Sequence, residues 1–204
     1  MIKSNYIELL KEFGVNSNSA EELWNEINYN YSKKNRHYHN LKHLKDLYNQ
    51  LENVKDKIHN WQVILFTLYY HDIIYISTQK DNEEKSAELA SKRMKEIGVQ
   101  ESDVKLCYEQ IIATKSHSEN SESDTNYFTD ADLSILGRTP AKYKTYCSNI
   151  RKEYSIYPDF LYKKGRKKVV THFLSMKKIF KTDEFYNRYE EQAKLNLQQE
   201  LKSL

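Results

Sequence analysis

Apolar residues recur at spacings of three and four along nearly the whole chain, which is the period of an α-helix. The pattern is clearest in five stretches: Leu41–Leu51, Val63–Tyr69, Val104–Ile112, Val169–Phe180 and Tyr189–Leu201. Only four glycines and two prolines occur in 204 residues, so few positions interrupt long helices. No sustained alternation of period two is present. The sequence therefore predicts an all-α bundle of about eight to ten helices.

The length and composition favour one domain without covalent cross-links. A chain of 204 residues suits a single domain, and no repeat or linker divides it. Cys107 and Cys147 lack metal-like spacing and are typical of reduced thiols in an intracellular protein. The start lacks the layout of a signal peptide. The longest uncharged apolar run, Trp61–Tyr70, is about half of the ~20 residues that a membrane span requires. We therefore expect a cytoplasmic protein with no membrane partner.

Charge is distributed unevenly along the chain. The net charge is +3, which is too small to indicate nucleic-acid binding. From Arg151 to the end, thirteen basic residues stand against seven acidic ones. Five of the six residues in Lys163–Lys168 are basic. A solvated loop and helix start explains this cluster better than a phosphate site does, so the sequence does not favour a nucleic-acid partner.

Imidazole and carboxylate side chains occur near the ends of apolar helical stretches. His39 and His43 are four apart, which places them on one face if both are helical. The adjacent His71 and Asp72 end the most apolar helix of the chain. Asp132 interrupts an apolar segment, where a carboxylate needs a cation or strong donors. These are the side chains that hold divalent ions in open catalytic sites.

Fragments in this order resemble the HD superfamily of metal-dependent phosphohydrolases, which is named after an adjacent His-Asp pair. The fragments look like one branch of that superfamily, the small proteins described as predicted HD-superfamily phosphohydrolases. The likeness extends from about Tyr31 to the C-terminus, and it implies one HD-type helical domain over residues 1–204. Its metal-site core would span about 31–137, with helices from 140–204 packed on it. The matching fragments are Arg36–His43, Tyr70–Tyr75, Asn82–Ala87, Thr114–His117, Asp130–Gly137, Ile150–Tyr154, Gly165–Arg166 and Glu190–Leu201.

The segment from Tyr38 to His43 is also similar to a motif of cyclic-nucleotide phosphodiesterases, which share the HD core. Their late metal-binding Asp lies in an Ala-Asp-Leu-Ser string, which here falls on Ala131–Ser134. This resemblance implies His39 as the general acid and Asp130 as a supporting or alternative ligand. An additional histidine binds a second metal in some HD branches, and that role would fall to His117. The implied metal ligands are His43, His71, Asp72 and Asp132.

The implied cofactor is one or two divalent metal ions, with Mn, Fe, Zn, Mg, Co and Ni all open. Such an ion activates water and polarises a phosphoryl oxygen. Glu83 and Glu84 follow the His-Asp pair, and they either position water or favour a helix N-terminus electrostatically. The cations considered for substrate phosphate are Lys115, Arg151 and Arg166.

Together these features predict a metal-dependent phosphohydrolase acting on a small phosphorylated substrate, most naturally a nucleotide. Tyr38, Tyr70 and Tyr75 flank the implied ligands and either stack on a base or pack internally. The alternative is a binding or protein-interaction module of HD fold with little or no catalytic activity. The oligomeric state stays open.

Overall fold

The fold is all-helical, as the apolar spacing predicts. The computed structural model describes residues 2–204, and within them the chain forms ten α-helices and two 3-10 helices, with no strand. The 3-10 helices are Lys55–Lys57 and Ser134–Gly137. The prediction of an all-α bundle of eight to ten helices is confirmed. The α-helices are α1 (Ile2–Glu12), α2 (Ser17–Tyr31), α3 (Leu41–Glu52), α4 (Trp61–Tyr70), α5 (Asn82–Glu96), α6 (Glu101–Ala113), α7 (Ser123–Leu133), α8 (Pro140–Glu153), α9 (Asp159–Ser175) and α10 (Asp183–Ser203).

The chain divides into two compact units. The first ends at Thr129, and the second runs from Asp130 to Leu204. The division falls within α7, which is one uninterrupted helix. No helix within residues 2–204 combines the length and the apolar character needed to cross a membrane.

Helix α4 is the core of the first unit. Every residue from Val63 to Tyr70 is buried, and α1, α3, α5 and α6 all pack against this helix. A helix that is apolar on all sides is stable only when neighbours cover it. Its buried hydroxyls have partners: Thr67 Oγ1 donates to the Gln110 side-chain oxygen at 2.6 Å, and the Tyr69 hydroxyl donates to the Ile2 carbonyl at 2.9 Å. The helix contains no Asp, Glu, Lys, Arg or His, and the adjacent His71 and Asp72 follow its last residue.

Asparagine side chains begin the two helices that lead to the candidate site. The Asn60 side chain accepts a hydrogen bond from Val63 N at the start of α4, and Asn40 accepts one from Lys42 N at the start of α3. Asparagine is a preferred N-cap because its oxygen satisfies an amide that has no helical partner. These caps determine that α3 begins at Leu41 and α4 at Trp61.

The second unit is organised around α10. Asn196 on this helix donates its side-chain amide to the carbonyls of Leu136 and Arg138, and α10 packs against the 3-10 helix that ends at Gly137. A Cβ at Gly137 would lie 2.5 Å from the Cβ of Tyr189, so the close approach of these elements requires glycine.

A buried ion pair joins α9 to α10. Arg166 Nε and an Nη atom lie 2.8 and 3.0 Å from the two carboxylate oxygens of Glu200, and both side chains are buried. The Tyr143 hydroxyl donates to the same carboxylate, while Arg166 also donates to the Tyr146 hydroxyl. The Glu200 carboxylate therefore balances the charge of Arg166 within the second unit, so no substrate phosphate is needed to do so.

We predict that Arg166→Met lowers the free energy of unfolding by about 3–5 kcal/mol, because the substitution leaves the Glu200 carboxylate buried without its cation. The double variant Arg166→Met/Glu200→Leu should recover most of this loss, since no unpaired charge remains. Urea unfolding followed by circular dichroism measures both. The control is Lys168→Met on the exposed face of α9, expected within about 0.5 kcal/mol of the unsubstituted protein. Equal effects of Arg166→Met and Lys168→Met would contradict a stabilising role for the pair.

Candidate metal centre

Three ligand-type side chains converge where α4 ends. The Nε2 atoms of His43 and His71 lie 3.2 Å apart. An Asp72 carboxylate oxygen lies 3.1 Å from His71 Nε2 and 3.8 Å from His43 Nε2. Both histidines are buried, while the Asp72 side chain is 19% exposed. Two imidazole nitrogens and one carboxylate oxygen therefore face a common point with limited access to solvent.

The orientation of His71 is set by its other ring nitrogen. Nδ1 lies 2.9 Å from the carbonyl oxygen of Leu68, one turn back in α4. A carbonyl only accepts hydrogen bonds, so Nδ1 carries the proton and the Nε2 of a neutral ring presents its lone pair to the cluster. Metal-binding histidines generally have such a partner, because it determines both the tautomer and the ring position.

His39 lies beside the cluster but not on helix α3. Asn40 has extended backbone angles and is the N-cap, so α3 begins at Leu41 and includes His43 alone of the two histidines. The expectation that His39 and His43 share a helical face is wrong, because α3 begins only after the Asn40 cap and His39 precedes that cap. Their rings nevertheless lie 5.8 Å apart, and His39 Nε2 is 3.9 Å from an Asp72 carboxylate oxygen.

The charge of Asp72 is stabilised by the histidines. Burial would raise the pKa of this carboxyl, but the positive charge that His71, His39 and His43 carry when protonated outweighs that effect and holds the pKa well below its ordinary range. The group is therefore an anion at neutral pH, which is the form that binds a cation.

Arg36 fixes the two loops that carry the cluster, and the sequence analysis did not assign it a role. One Nη atom donates to the carbonyls of Asp72 at 2.6 Å and His39 at 3.2 Å, while the other donates to the carbonyl of Ile73 at 2.7 Å. The guanidinium is buried. Its only sequence signal is its position three residues before His39. Long-range hydrogen bonds of this kind cannot be recognised from local spacing.

The two late aspartates have different environments. Asp132 lies near the end of α7 and belongs to the second unit. Asp130 is buried and accepts hydrogen bonds from the backbone amides of Lys181 and Thr182, and it also pairs with the Lys181 ammonium at 2.8 Å. Asp130 therefore anchors the segment before α10, and the role of Asp132 as a metal ligand stays a prediction.

Other candidate residues make different contacts. Glu83 and Glu84 lie in the first turn of α5, where carboxylates are favoured by the helix dipole. Glu84 forms an ion pair with Lys115, which also donates to the Lys80 carbonyl. His117 follows α6 in a left-handed conformation with φ of 52°, which is uncommon for a residue with a side chain.

Arg151 is held by its own neighbourhood in the second unit. Its guanidinium pairs with Asp159 at 2.7 Å and donates to the carbonyls of Tyr154 and Tyr157. These contacts connect the end of α8 to the start of α9. Like Arg166, Arg151 has a structural role that requires no phosphate.

A second set of ligand-type residues was not singled out in the sequence. Ligand atoms of His59, Glu122 and Asp124 lie within 4.8 Å of one another. Asp124 is buried and accepts from the backbone amides of His59 and Asn60 at 2.9 and 2.7 Å. These bonds tie the start of α4 to α7, so they explain the carboxylate without an ion.

Aromatic rings flank the cluster. Tyr75 lies 4.2 Å from the His39 ring, and Tyr38 lies 4.9 Å from both the His39 and His43 rings. Tyr70 is instead fully buried and shares a 2.8 Å hydrogen bond with the Tyr6 hydroxyl. Of the three tyrosines considered for stacking, Tyr38 and Tyr75 are the two beside the site.

We predict that Arg36→Met lowers the free energy of unfolding by about 3 kcal/mol or more, since it leaves buried carbonyls without a charged donor. Arg36→Lys should recover little, because a single ammonium lacks the planar fork that reaches three carbonyls. Urea unfolding measures the loss, and hydrogen exchange should show faster opening in residues 36–43 and 71–76. The control is the exposed Arg188→Met. Full stability in Arg36→Lys would contradict the proposed geometry.

The chain was also compared with known proteins. No protein-family model, curated protein or solved structure matches it. The chemical interpretation of the site therefore rests on its own side chains. Those are groups of the kind that could hold a metal ion, namely two imidazoles and a carboxylate within the first unit.

Proposed function

We propose that the protein is a metal-dependent phosphohydrolase of the HD superfamily, acting on a small phosphorylated molecule such as a nucleotide. The observation that carries the proposal is the convergence of His43, His71 and Asp72 within 3.8 Å at the end of a buried helix. The order of the sequence fragments supports the family, and the geometry supports a metal site. Asp132 is the fourth ligand that the resemblance to the HD superfamily implies.

The side chains present fit a divalent cation. Two imidazoles and two carboxylates supply nitrogen and oxygen donors of the type that binds Zn, Mn or Fe. The His71 Nδ1 hydrogen bond to Leu68 directs the lone pair of Nε2 into the cluster. A bound divalent ion would lower the pKa of a water molecule toward about 7 and polarise a phosphoryl oxygen.

His39 is the proposed general acid. It lies next to Asp72 without belonging to the closest set of ligand atoms, and it is partly accessible, with 18% of its side chain exposed. An imidazole near its ordinary pKa of about 6.5 can protonate a leaving oxygen at neutral pH. Asp72 stabilises the protonated ring and limits its orientations. Proton donation at this position would assist departure of the alcohol or phosphate group.

The aromatic surroundings support a substrate with a flat ring. Tyr38 and Tyr75 are both partly buried beside the ring of His39. Stacking on a base would use the exposed part of these rings. A nucleotide is therefore the first substrate class to test.

We predict that the purified protein contains a divalent metal and that a chelator lowers its melting temperature. An ion that binds only the folded state stabilises it by about 2.7 kcal/mol at a hundredfold excess over Kd. His43→Ala and Asp72→Ala should each lose the metal and the response to chelator. Elemental analysis and thermal unfolding measure the two effects.

The matched control for this experiment is His37→Ala, which removes an exposed imidazole from the same sequence segment. It should retain the metal and the response to chelator. Metal retained in both His43→Ala and Asp72→Ala would exclude the proposed ligand set.

We predict that His39→Ala retains the metal but loses about 10²–10⁴-fold in kcat, the usual contribution of general acid–base catalysis. A nitrophenyl phosphate has a good leaving group that needs little protonation, so it should lose less activity than a nucleotide substrate. Steady-state kinetics on both substrates, together with elemental analysis, provide the measurement.

Two outcomes would refute the role of His39. Loss of metal in His39→Ala would make this residue a ligand, and equal slowing of both substrates would exclude it as the acid. A metal-loaded protein that binds nucleotides but hydrolyses none would favour the alternative of a binding module.

A further inference from the structure

The outward face of α9 carries a row of lysines. Arg166 and Val170 are the buried residues of this helix, and they are one turn apart. At about 100° per residue, Lys164, Lys167 and Lys168 project away from that buried side. The face also forms a shallow surface groove, which is lined by Lys164, Lys167, Lys168, Thr171, His172 and Ser175.

The lysines on this face lack acidic partners within residues 2–204. Lys164, Lys167 and Lys168 form no ion pair with any residue in the range 2–204, whereas Lys85 and Lys92 on α5 pair with carboxylates one turn away. On α9, by contrast, the residues one turn after Lys164 are Lys167 and Lys168, which carry the same charge. Like charges at this spacing destabilise a helix, so an external anion would relieve their repulsion.

Exposed apolar side chains lie at the N-terminal end of the same surface. Of the seven large hydrophobic residues exposed within the described chain, four fall between positions 156 and 169. Ile156, Phe160 and Leu161 are 69%, 70% and 46% exposed. Phe160 is four residues before Lys164, so the aromatic ring and the lysines share one face.

We propose that this face, from Ile156 to Lys168, binds the surface of an anionic lipid bilayer. The lysines would contact the headgroup phosphates and carboxylates, while Ile156, Phe160 and Leu161 would enter the interfacial region. Each basic residue near an anionic bilayer surface contributes about 1 kcal/mol of attraction, so three lysines on one exposed face favour anionic lipid. The sequence analysis expected no membrane partner because it considered spanning segments, and the exposure of these side chains is visible only in the fold.

The composition of the face favours a bilayer over nucleic acid. Protein surfaces that bind nucleic acids combine lysine with arginine, amide side chains and aromatic rings that stack on the bases. The arginine within this basic cluster, Arg166, is buried against Glu200 and therefore cannot contact a nucleic acid. Exposed aliphatic groups such as Ile156 and Leu161 have no counterpart on a phosphate backbone, but they partition favourably into an interface.

The test is a vesicle co-sedimentation experiment with the full chain. Vesicles of phosphatidylcholine alone are compared with vesicles of phosphatidylcholine and phosphatidylserine. We expect binding to the anionic vesicles only. Raising the salt from about 0.1 M to about 0.5 M should weaken it, because exposed charges are screened over a shorter distance.

Two variants separate the contributions of charge and apolar surface. Lys164→Gln/Lys168→Gln should weaken binding by about thirty-fold. Phe160→Ser should weaken it by about tenfold while leaving the salt dependence in place. The matched control is Lys142→Gln/Lys144→Gln, which removes the same charge from exposed positions on α8 and should bind like the unsubstituted protein. Circular dichroism verifies that each variant is folded.

Three results would overturn the proposal. These are no preference for anionic vesicles, unchanged binding in Lys164→Gln/Lys168→Gln, and an equal loss in the α8 control. Tighter, lysine-dependent binding to a DNA or RNA oligonucleotide than to the vesicles would assign the face to nucleic acid instead.

Discussion

The burial of α4 determines where chemistry can occur in the first unit. All residues from Val63 to Tyr70 are buried, so other helices must cover every side of this element. Ionisable groups inside such a helix would lose their hydration without compensation. His71 and Asp72 avoid that cost because they stand just beyond its last turn, where the chain leaves the core. The position of the candidate site follows from the packing of an apolar helix.

Hydrogen bonds to backbone carbonyls then order the ligand groups. The Leu68 carbonyl orients His71, and Arg36 holds the carbonyls on both sides of the cluster. These bonds are independent of any ion, so the histidines and Asp72 are positioned in advance. Such preorganisation reduces the entropy lost on binding, which is why a supporting layer matters as much as the ligands themselves.

The second unit separates charges that look equivalent in sequence. Arg166 and Lys164 belong to one basic run, but helical periodicity turns Arg166 inward to Glu200 and Lys164 outward. An inward charge must be paired, whereas an outward one is available to a partner. Arg151 and Asp130 are likewise engaged with neighbouring segments. Some basic residues of this region therefore form internal ion pairs, and others form an exposed positive surface.

The sequence by itself determined the helical class, the exceptional burial of α4 and the residue types of the candidate site, because periodicity and composition are local properties. The Asn40 cap was also a local signal, and it excludes His39 from α3. Only the tertiary structure decided that Arg36 reaches carbonyls 36 and 37 residues away, and that His43 meets His71 across 28 residues. It also decided that Arg166 is an internal ion-pair partner. These outcomes depend on how helices pack, and contacts between distant segments leave no regular spacing in the chain.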